Sequence, residues 1–425
     1  MAKFIIEGGR PLSGRIVPAG NKNEVLPAIM ASILTDETVT LRRVPRIRDV
    51  ETTLSILTLL GVQSEWAGDD TLTLNARGIS NYKPDPALCN HIRASILLLG
   101  PLLSRFGKIE IPTPGGDVIG ARRIDSHFEI VEALGGSIEF GNPIIGSIKK
   151  VIGADVYLDE PSVTATENLL LLAVRSEGTT RLYNAACEPH VVGLCKLLNK
   201  MGAKITGVGS NHLTIEGVSQ LHGAEHTVGP DFMEIGSYLC LGAIADGSIT
   251  IDRVDVADLR FVLKTFSRLG IHPKIDNDSF LIEGGRTIEM QNDIGDRVAT
   301  IYSGPWPAFP TDLMSVSIVA ATQAMGTKIF HEKMFEGRMF FTDKLLAMGA
   351  NIVLCDPHRI VVTGPKQLYA SKMSSPDVRA GMAMLMAALV AKGTSVIDNI
   401  YQIERGYFGV HEKLLSLGAA ILREQ

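Results

Sequence analysis

At 425 residues, with 45% apolar and 20% charged side chains, the chain has ordinary globular composition and is long for one hydrophobic core. A formal net charge of −5 supplies no basic field and argues against nucleic acid as a partner, while 41 Lys and Arg leave room for a local cationic pocket. The five cysteines form no CxxC pair and the ten histidines lack ligand spacing, so neither a disulfide framework nor a zinc site is expected.

The first predicted element is the strand "KFIIEGG", which precedes the repeating part of the chain and can join either half. No secretory cleavage pattern accompanies it. A near-apolar helix beginning at Lys22 then leads through "ILTDETVTL" into a strand, and an amphipathic helix closes at Gly61 before a strand pair. The same order returns with "RASILLLGPLL", "LSRFGKIEI" and Gly135, and again with "ENLLLLAV", "VRSEGTTRL" and Gly202. It returns three more times, through "IADGSITI" to Gly270, "TQAMGTKIF" to Gly349 and "VAKGTSVID" to Gly418. The six closing glycines lie about 70 residues apart, too long for a common solenoid and suited to a compact α/β module. Each is placed to end a helix at positive φ.

The first helix of each unit is apolar on most faces, which predicts that it is buried. Runs such as "NLLLLAV" and "MAMLMAALVA" are shorter than the roughly 18–20 residues that cross a bilayer, so no membrane insertion and a cytoplasmic chain are expected. "HTVGPDFME", with Gly229 and Pro230 adjacent, reads as a crossing between two halves. The expected domains are residues 22–228 as one three-unit lobe, and 1–21 with 229–425 as the other.

Repeats bring equivalent positions to equivalent places. Asn23, Arg93, Thr166, Glu234, Asp312 and Arg379 head the six apolar helices. Asp49, Asp117, Glu188, Asp255, Arg338 and Arg405 occupy the strand-to-helix turns. Helix N-termini carry partial positive charge and unpaired N–H groups. With Lys22, Arg93, Arg122, Arg338, Arg379 and Arg405 added, they would make an anion site. Taken singly, Asp312 and Asp377 read as helix caps, and any one arginine as a surface group. Glycines 115, 116 and 120 lack a P-loop's Lys-Ser ending, and no GxGxxG follows a strand.

The tracts "NKN", "RASI", "PGGDVIGAR", "NAACEP", "FPTD", "FEGR", "DVRA" and "ERGY" together resemble the enolpyruvyl transferase family, in its UDP-N-acetylglucosamine 1-carboxyvinyltransferase branch. The resemblance covers essentially the whole chain. It implies two lobes, each an inside-out α/β barrel of three βαβαββ-like repeats, six in total, closing over the substrates. It also implies transfer of the enolpyruvyl group of phosphoenolpyruvate to the 3-hydroxyl of UDP-N-acetylglucosamine, with phosphate release at the start of peptidoglycan precursor synthesis. No metal and no organic cofactor is implied, and the partners are these small molecules. Lys22, Asp117, Asp312 and Arg405 are then the catalytic candidates. Arg122, Arg338, Asp377 and Arg379 join in binding, and Asn23, Arg93, Arg123, Ile124, Asp125, Ser126, Ser162, Val163 and Met334 would hold the nucleotide sugar. Glycines 115 and 116 would let the loop around Asp117 fold down and exclude water.

The chain departs from the family pattern at several places. Asp117 stands where most members have cysteine. To act as an acid it must hold a proton near neutral pH, which requires roughly 4 kcal/mol of differential stabilisation. A bound phosphate and carboxylate favour that, and Arg122 opposes it. Lacking the thiol, the chain is expected to resist fosfomycin, which alkylates that cysteine in other members. Arg123 replaces a usual proline, Glu160 a lysine, Thr164 a glycine, Phe232 an arginine and Gly337 an asparagine. Loss of positive charge at 160 and 232 weakens a diphosphate contact that Arg123 would partly replace. A paralogous enolpyruvyl transferase for another hydroxyl-bearing nucleotide, the sister class acting on shikimate 3-phosphate, and a non-catalytic binding relative remain open at this stage.

Overall fold

The computed structural model describes residues 2–116, 120 and 123–425. It is a mixed α/β structure whose described residues divide into two compact units, one of residues 2–19, 120 and 230–425, the other of residues 20–116 and 123–229. Each unit has its own hydrophobic core.

The near-apolar tracts form the helices Lys22–Ala31, Leu99–Phe106, Val163–Ala173, Phe232–Ile244, Met314–Gln323 and Val378–Val390. Their lack of a polar face leaves them no solvent side. Every residue from Ala165 to Ala173 is buried, as is every residue from Val378 to Leu389. Each fully buried leucine, such as Leu170 or Leu385, contributes about 1.5–3 kcal/mol of transfer free energy. After each of these helices comes a strand: Val39–Arg42, Lys108–Ile111, Thr179–Tyr183, Gly247–Ile251, Gly326–His331 and Thr394–Asp398. The six closing glycines have φ between +80° and +105°, a region that penalises any side chain.

Three sheets belong to each unit, and five of the six share one strand order. In the sheet Glu225–Thr227, Val39–Arg42, Thr71–Asn75, Gln63–Ala67, a parallel flanking strand is followed by the post-helix strand and then the strand pair. Among the described residues the sixth, Lys108–Ile111, Ile144–Ser147, Ser137–Glu139, has no flanking strand. In the last repeat the pair is made by Ala420–Glu424 and the N-terminal strand Lys3–Glu7. "KFIIEGG" therefore joins the unit of residues 230–425, at the interior of a sheet and antiparallel to both neighbours. Among the described residues, no helix is long and apolar enough to cross a membrane.

One buried helix is interrupted. Arg93–Leu98 is a 3₁₀ turn that passes into the α-helix Leu99–Phe106, with Pro101 in its first turn. The Gly100 N–H and Ile96 carbonyl, which a continuous α-helix would pair, are bridged by the Asn168 amide instead. Asn168 Oδ1 accepts from Gly100 N at 2.8 Å, and its Nδ2 donates to Ile96 O at 3.0 Å.

Candidate active site

In the unit of residues 230–425, Asp312 is held in the 3₁₀ turn Thr311–Leu313, and its side chain does not cap the helix behind it. Its Oδ1 accepts from Arg338 Nη2 at 2.5 Å and its Oδ2 from Arg379 Nε at 2.9 Å. Arg338 comes from the 3₁₀ turn Glu336–Met339, and Arg379 from the first turn of Val378–Val390. Asp377 does cap that helix, accepting from the backbone N–H groups of Arg379 and Ala380, and its Oδ1 lies 3.7 Å from Arg338 Nη1. Both guanidinium side chains are buried, at 7% and 6% exposure. Burial opposes the Arg379 charge, but Asp312, then Tyr407 and Asp231, hold its pKa above the ordinary arginine value. Arg338 Nε and Arg379 Nη1 are buried without a hydrogen-bond partner among the described residues. Two buried, unsatisfied cationic N–H donors are costly unless an acceptor reaches them, and a carboxylate or phosphate supplies one.

Arg405 follows the short helix Tyr401–Glu404 and donates to Gln402 Oε1 at 3.4 Å. Met334 is ordered by Glu332, a residue the sequence reading passed over. The Glu332 carboxylate is fully buried and accepts from the Met334 and Phe335 backbones and from the Ser303 and Thr311 hydroxyls. It thereby ties the Met334 segment to the residue before Asp312.

In the unit of residues 20–229, Lys22 begins the helix Lys22–Ala31 and its Nζ lies 2.8 Å from Asp49 Oδ2, with both side chains largely buried. Asn21 caps the helix by accepting from Asn23 N. Arg93 Nη2 donates to the Arg123 carbonyl at 3.2 Å, and Arg123 Nε donates to Asp125 Oδ2 at 3.0 Å. Ile124 precedes the helix Asp125–Ala133, in which Ser126 is buried. Ser162 caps Val163–Ala173 by accepting from Ala165 N. Beneath these residues His127 is buried between Thr164 Oγ1 at 3.1 Å and the Asn168 amide at 2.8 Å. Burial, with Arg93 nearby, pushes its pKa down to about 3. Nothing periodic in the sequence marks Asn168 or His127 as partners. The Thr-Glu-Asn run in "TATENLLLL", polar inside an apolar helix, was the available signal.

The glycines before Asp117 have a packing role. A Cβ on Gly115 would sit 1.8 Å from the Asn90 carbonyl oxygen, and Gly116, at φ +115°, would meet Arg93 Cβ at 2.9 Å. Asp117 and Arg122 lie outside the described residues.

The model of the family described as EPSP synthase (3-phosphoshikimate 1-carboxyvinyltransferase) matches residues 6–414. The chain belongs to this enolpyruvyl transferase family. It is 50% identical over 421 residues to a Bradyrhizobium diazoefficiens protein named UDP-N-acetylglucosamine 1-carboxyvinyltransferase, covering 99% of this chain and 98% of that one. A Borreliella burgdorferi protein of the same name is 49% identical, with 99% of each chain covered. The fold is that of the enolpyruvyl transferase NikO from Streptomyces tendae, at TM-score 0.88 and 21% identity over 99% of this chain and 98% of that one. EPSP synthase from Acinetobacter baumannii aligns at TM-score 0.77 and 18% identity over the whole of both chains.

Within this enolpyruvyl transferase the departures noted in sequence have definite surroundings. Thr164 hydrogen-bonds His127. Phe232 is buried with its ring 5.7 Å from that of Trp306, which in turn meets Phe261 edge-on. Arg123 is matched by acids: the Asp125 hydrogen bond acts on it most strongly, with Glu160 and Asp159 adding to it.

Proposed function

We propose that this chain transfers the enolpyruvyl group of phosphoenolpyruvate to the 3-hydroxyl of UDP-N-acetylglucosamine and releases phosphate, the first committed step toward peptidoglycan precursors, in the cytoplasm. The observation that carries the reading is the Asp312–Arg338–Arg379 cluster with its two unsatisfied buried donors. It is supported by relatives of that name at about half identity along their full length. Lys22, Arg122, Arg338, Arg379 and Arg405 neutralise the phosphate and carboxylate of phosphoenolpyruvate. An ionised carboxylate is an acceptor only, and Asp312 serves as the group that takes the proton of the sugar hydroxyl.

The hydroxyl oxygen adds to C2 of the enol as Asp117 delivers a proton to the C3 methylene. Removal of a C3 proton with loss of phosphate then regenerates the double bond. Asn23, Arg93, the segment from Arg122 to Ser126, Ser162, Val163 and Met334 hold the nucleotide sugar. Residues 22–228 and residues 1–21 with 229–425 act as two lobes, each an inside-out α/β barrel of three repeats, that close over both substrates. The near-complete burial of Val163–Ala173, Phe232–Ile244, Met314–Gln323 and Val378–Val390 supports that architecture.

The test is phosphate release from phosphoenolpyruvate with a panel of acceptors. Release with UDP-N-acetylglucosamine is expected. Release only with another nucleotide sugar, or only with shikimate 3-phosphate, reassigns the acceptor, and none with any acceptor removes the catalytic reading.

A further inference from the structure

We infer that Glu24 and His226 are positioning residues that fix the first turn of the helix Lys22–Ala31 and so hold Lys22 and Asn23 for the reaction. This rests on the substrate roles proposed for Lys22 and Asn23. Glu24 is the third residue of that helix, and its side chain is 5% exposed. Its Oε1 lies 2.7 Å from His226 Nε2, and its Oε2 accepts from Gly229 N at 3.1 Å. The Gly229 carbonyl in turn accepts from Asn21 N at 2.8 Å, and Asn21 Oδ1 accepts from Asn23 N at 2.9 Å. These bonds form a closed circuit around the turn, while Lys22 Nζ is held separately by Asp49.

The seat for the carboxylate is shaped by backbone. A Cβ on Gly193, in the helix Pro189–Lys200, would stand 2.2 Å from the Glu24 carboxyl carbon, and one on Gly229 3.0 Å from its Oε2. His226 is fixed in the strand Glu225–Thr227, paired with Val39–Arg42. Its Nδ1 is buried with no hydrogen-bond partner among the described residues, so Nε2, facing Glu24, is the nitrogen that carries the proton. Both Glu24 oxygens are engaged by protein donors. The pair therefore acts through the helix start and does not touch substrate.

Steady-state kinetics on four variants test this, with Lys22→Ala as the reference. Glu24→Ala removes the clamp, and Gly193→Ala keeps every polar group but displaces the carboxylate. Each is expected to raise the KM for phosphoenolpyruvate about 10- to 100-fold, with a smaller fall in kcat, in protein whose unfolding transition remains cooperative. Glu24→Gln keeps a single acceptor oxygen, which can serve Gly229 N, while its NH2 pairs with His226 only if the ring proton moves from Nε2 to Nδ1, so it should recover only part of that loss. If Glu24→Ala does not fold, Gly193→Ala and Glu24→Gln still give the comparison. A parent-like KM in Gly193→Ala, beside a raised KM in Lys22→Ala, overturns the inference. So does a Glu24→Ala protein that folds and keeps the parent KM. An unchanged KM in Lys22→Ala instead removes the role assigned to Lys22, and the inference with it.

Discussion

His127 shows what burial does to one residue beside a candidate site. It is held between Thr164 and Asn168, and desolvation with Arg93 nearby brings its pKa to about 3. An unfolded histidine titrates near 6.5. Between those values the unfolded chain binds a proton that the folded chain does not, so the stability from His127 is complete above about pH 6.5 and lost as pH falls toward 3. His127→Gln removes that titration. The difference in urea-unfolding free energy between pH 7 and pH 4 should be smaller in the variant by roughly 2–4 kcal/mol, and an equal difference in both proteins would refute the neutral, buried histidine. Position 117 carries a second prediction at this scale. Burial raises the thiol pKa of Cys89 and of Cys195 to about 12, and Cys355 is the exposed cysteine. With aspartate at 117, fosfomycin should leave phosphate release unchanged on prolonged incubation, whereas Asp117→Cys should introduce time-dependent loss.

At the scale of elements, the junction at Leu98 and Leu99 depends on a side chain from another helix. Asn168 supplies the acceptor for Gly100 N and the donor for Ile96 O, and its amide also meets His127 Nδ1. Asn168→Leu leaves the Gly100 N–H unpaired, while Ile96 O keeps its bond from Leu99 N, and should destabilise the unit of residues 20–229 by about 1–3 kcal/mol. Hydrogen exchange at the Gly100 amide, fast in the variant and protected in the parent, locates the loss. The burial of "RASILLLGPLL" was legible because an all-apolar run has one favourable location, and the closing glycines were legible because positive φ has one cheap residue. The break inside the same run was not, since the amide that repairs it lies 68 residues further on and has no periodic signature. The Glu24–His226 pair, 202 residues apart, was hidden for the same reason. Candidates such as Asp312, Arg338 and Arg379 stood out in sequence as motif members. Their pairing, and the failure of Asp312 to cap a helix, came only from three-dimensional placement.

At the scale of the whole molecule, repetition decides where the chain tolerates being cut. The last repeat takes one strand of its pair from Ala420–Glu424 and the other from Lys3–Glu7, with Glu424 opposite Lys3 across the ladder. Lys3 and Glu424 therefore lie where the other repeats have a hairpin turn, as between Lys204–Thr206 and His212–Glu216 in the third repeat. A circular permutant that joins Gln425 to Ala2 through Asn-Gly, and opens between Gly209 and Ser210, moves the cut from the sixth repeat to the third. Asn-Gly suits the two-residue hairpin connection it must make. Every ladder partner is retained, and closure entropy varies only slowly with loop length, so unfolding free energy should change by no more than about 2 kcal/mol. Enolpyruvyl transfer should persist with kcat/KM near the parent value. Deleting residues 2–8 without permutation removes an interior strand and should unfold the unit of residues 230–425, because Thr394–Asp398 and Ala420–Glu424 each lose their shared partner. A deletion that left that unit folded would show that Lys3–Glu7 only covers the sheet, and the topological equivalence of the termini to a hairpin turn would fail with it.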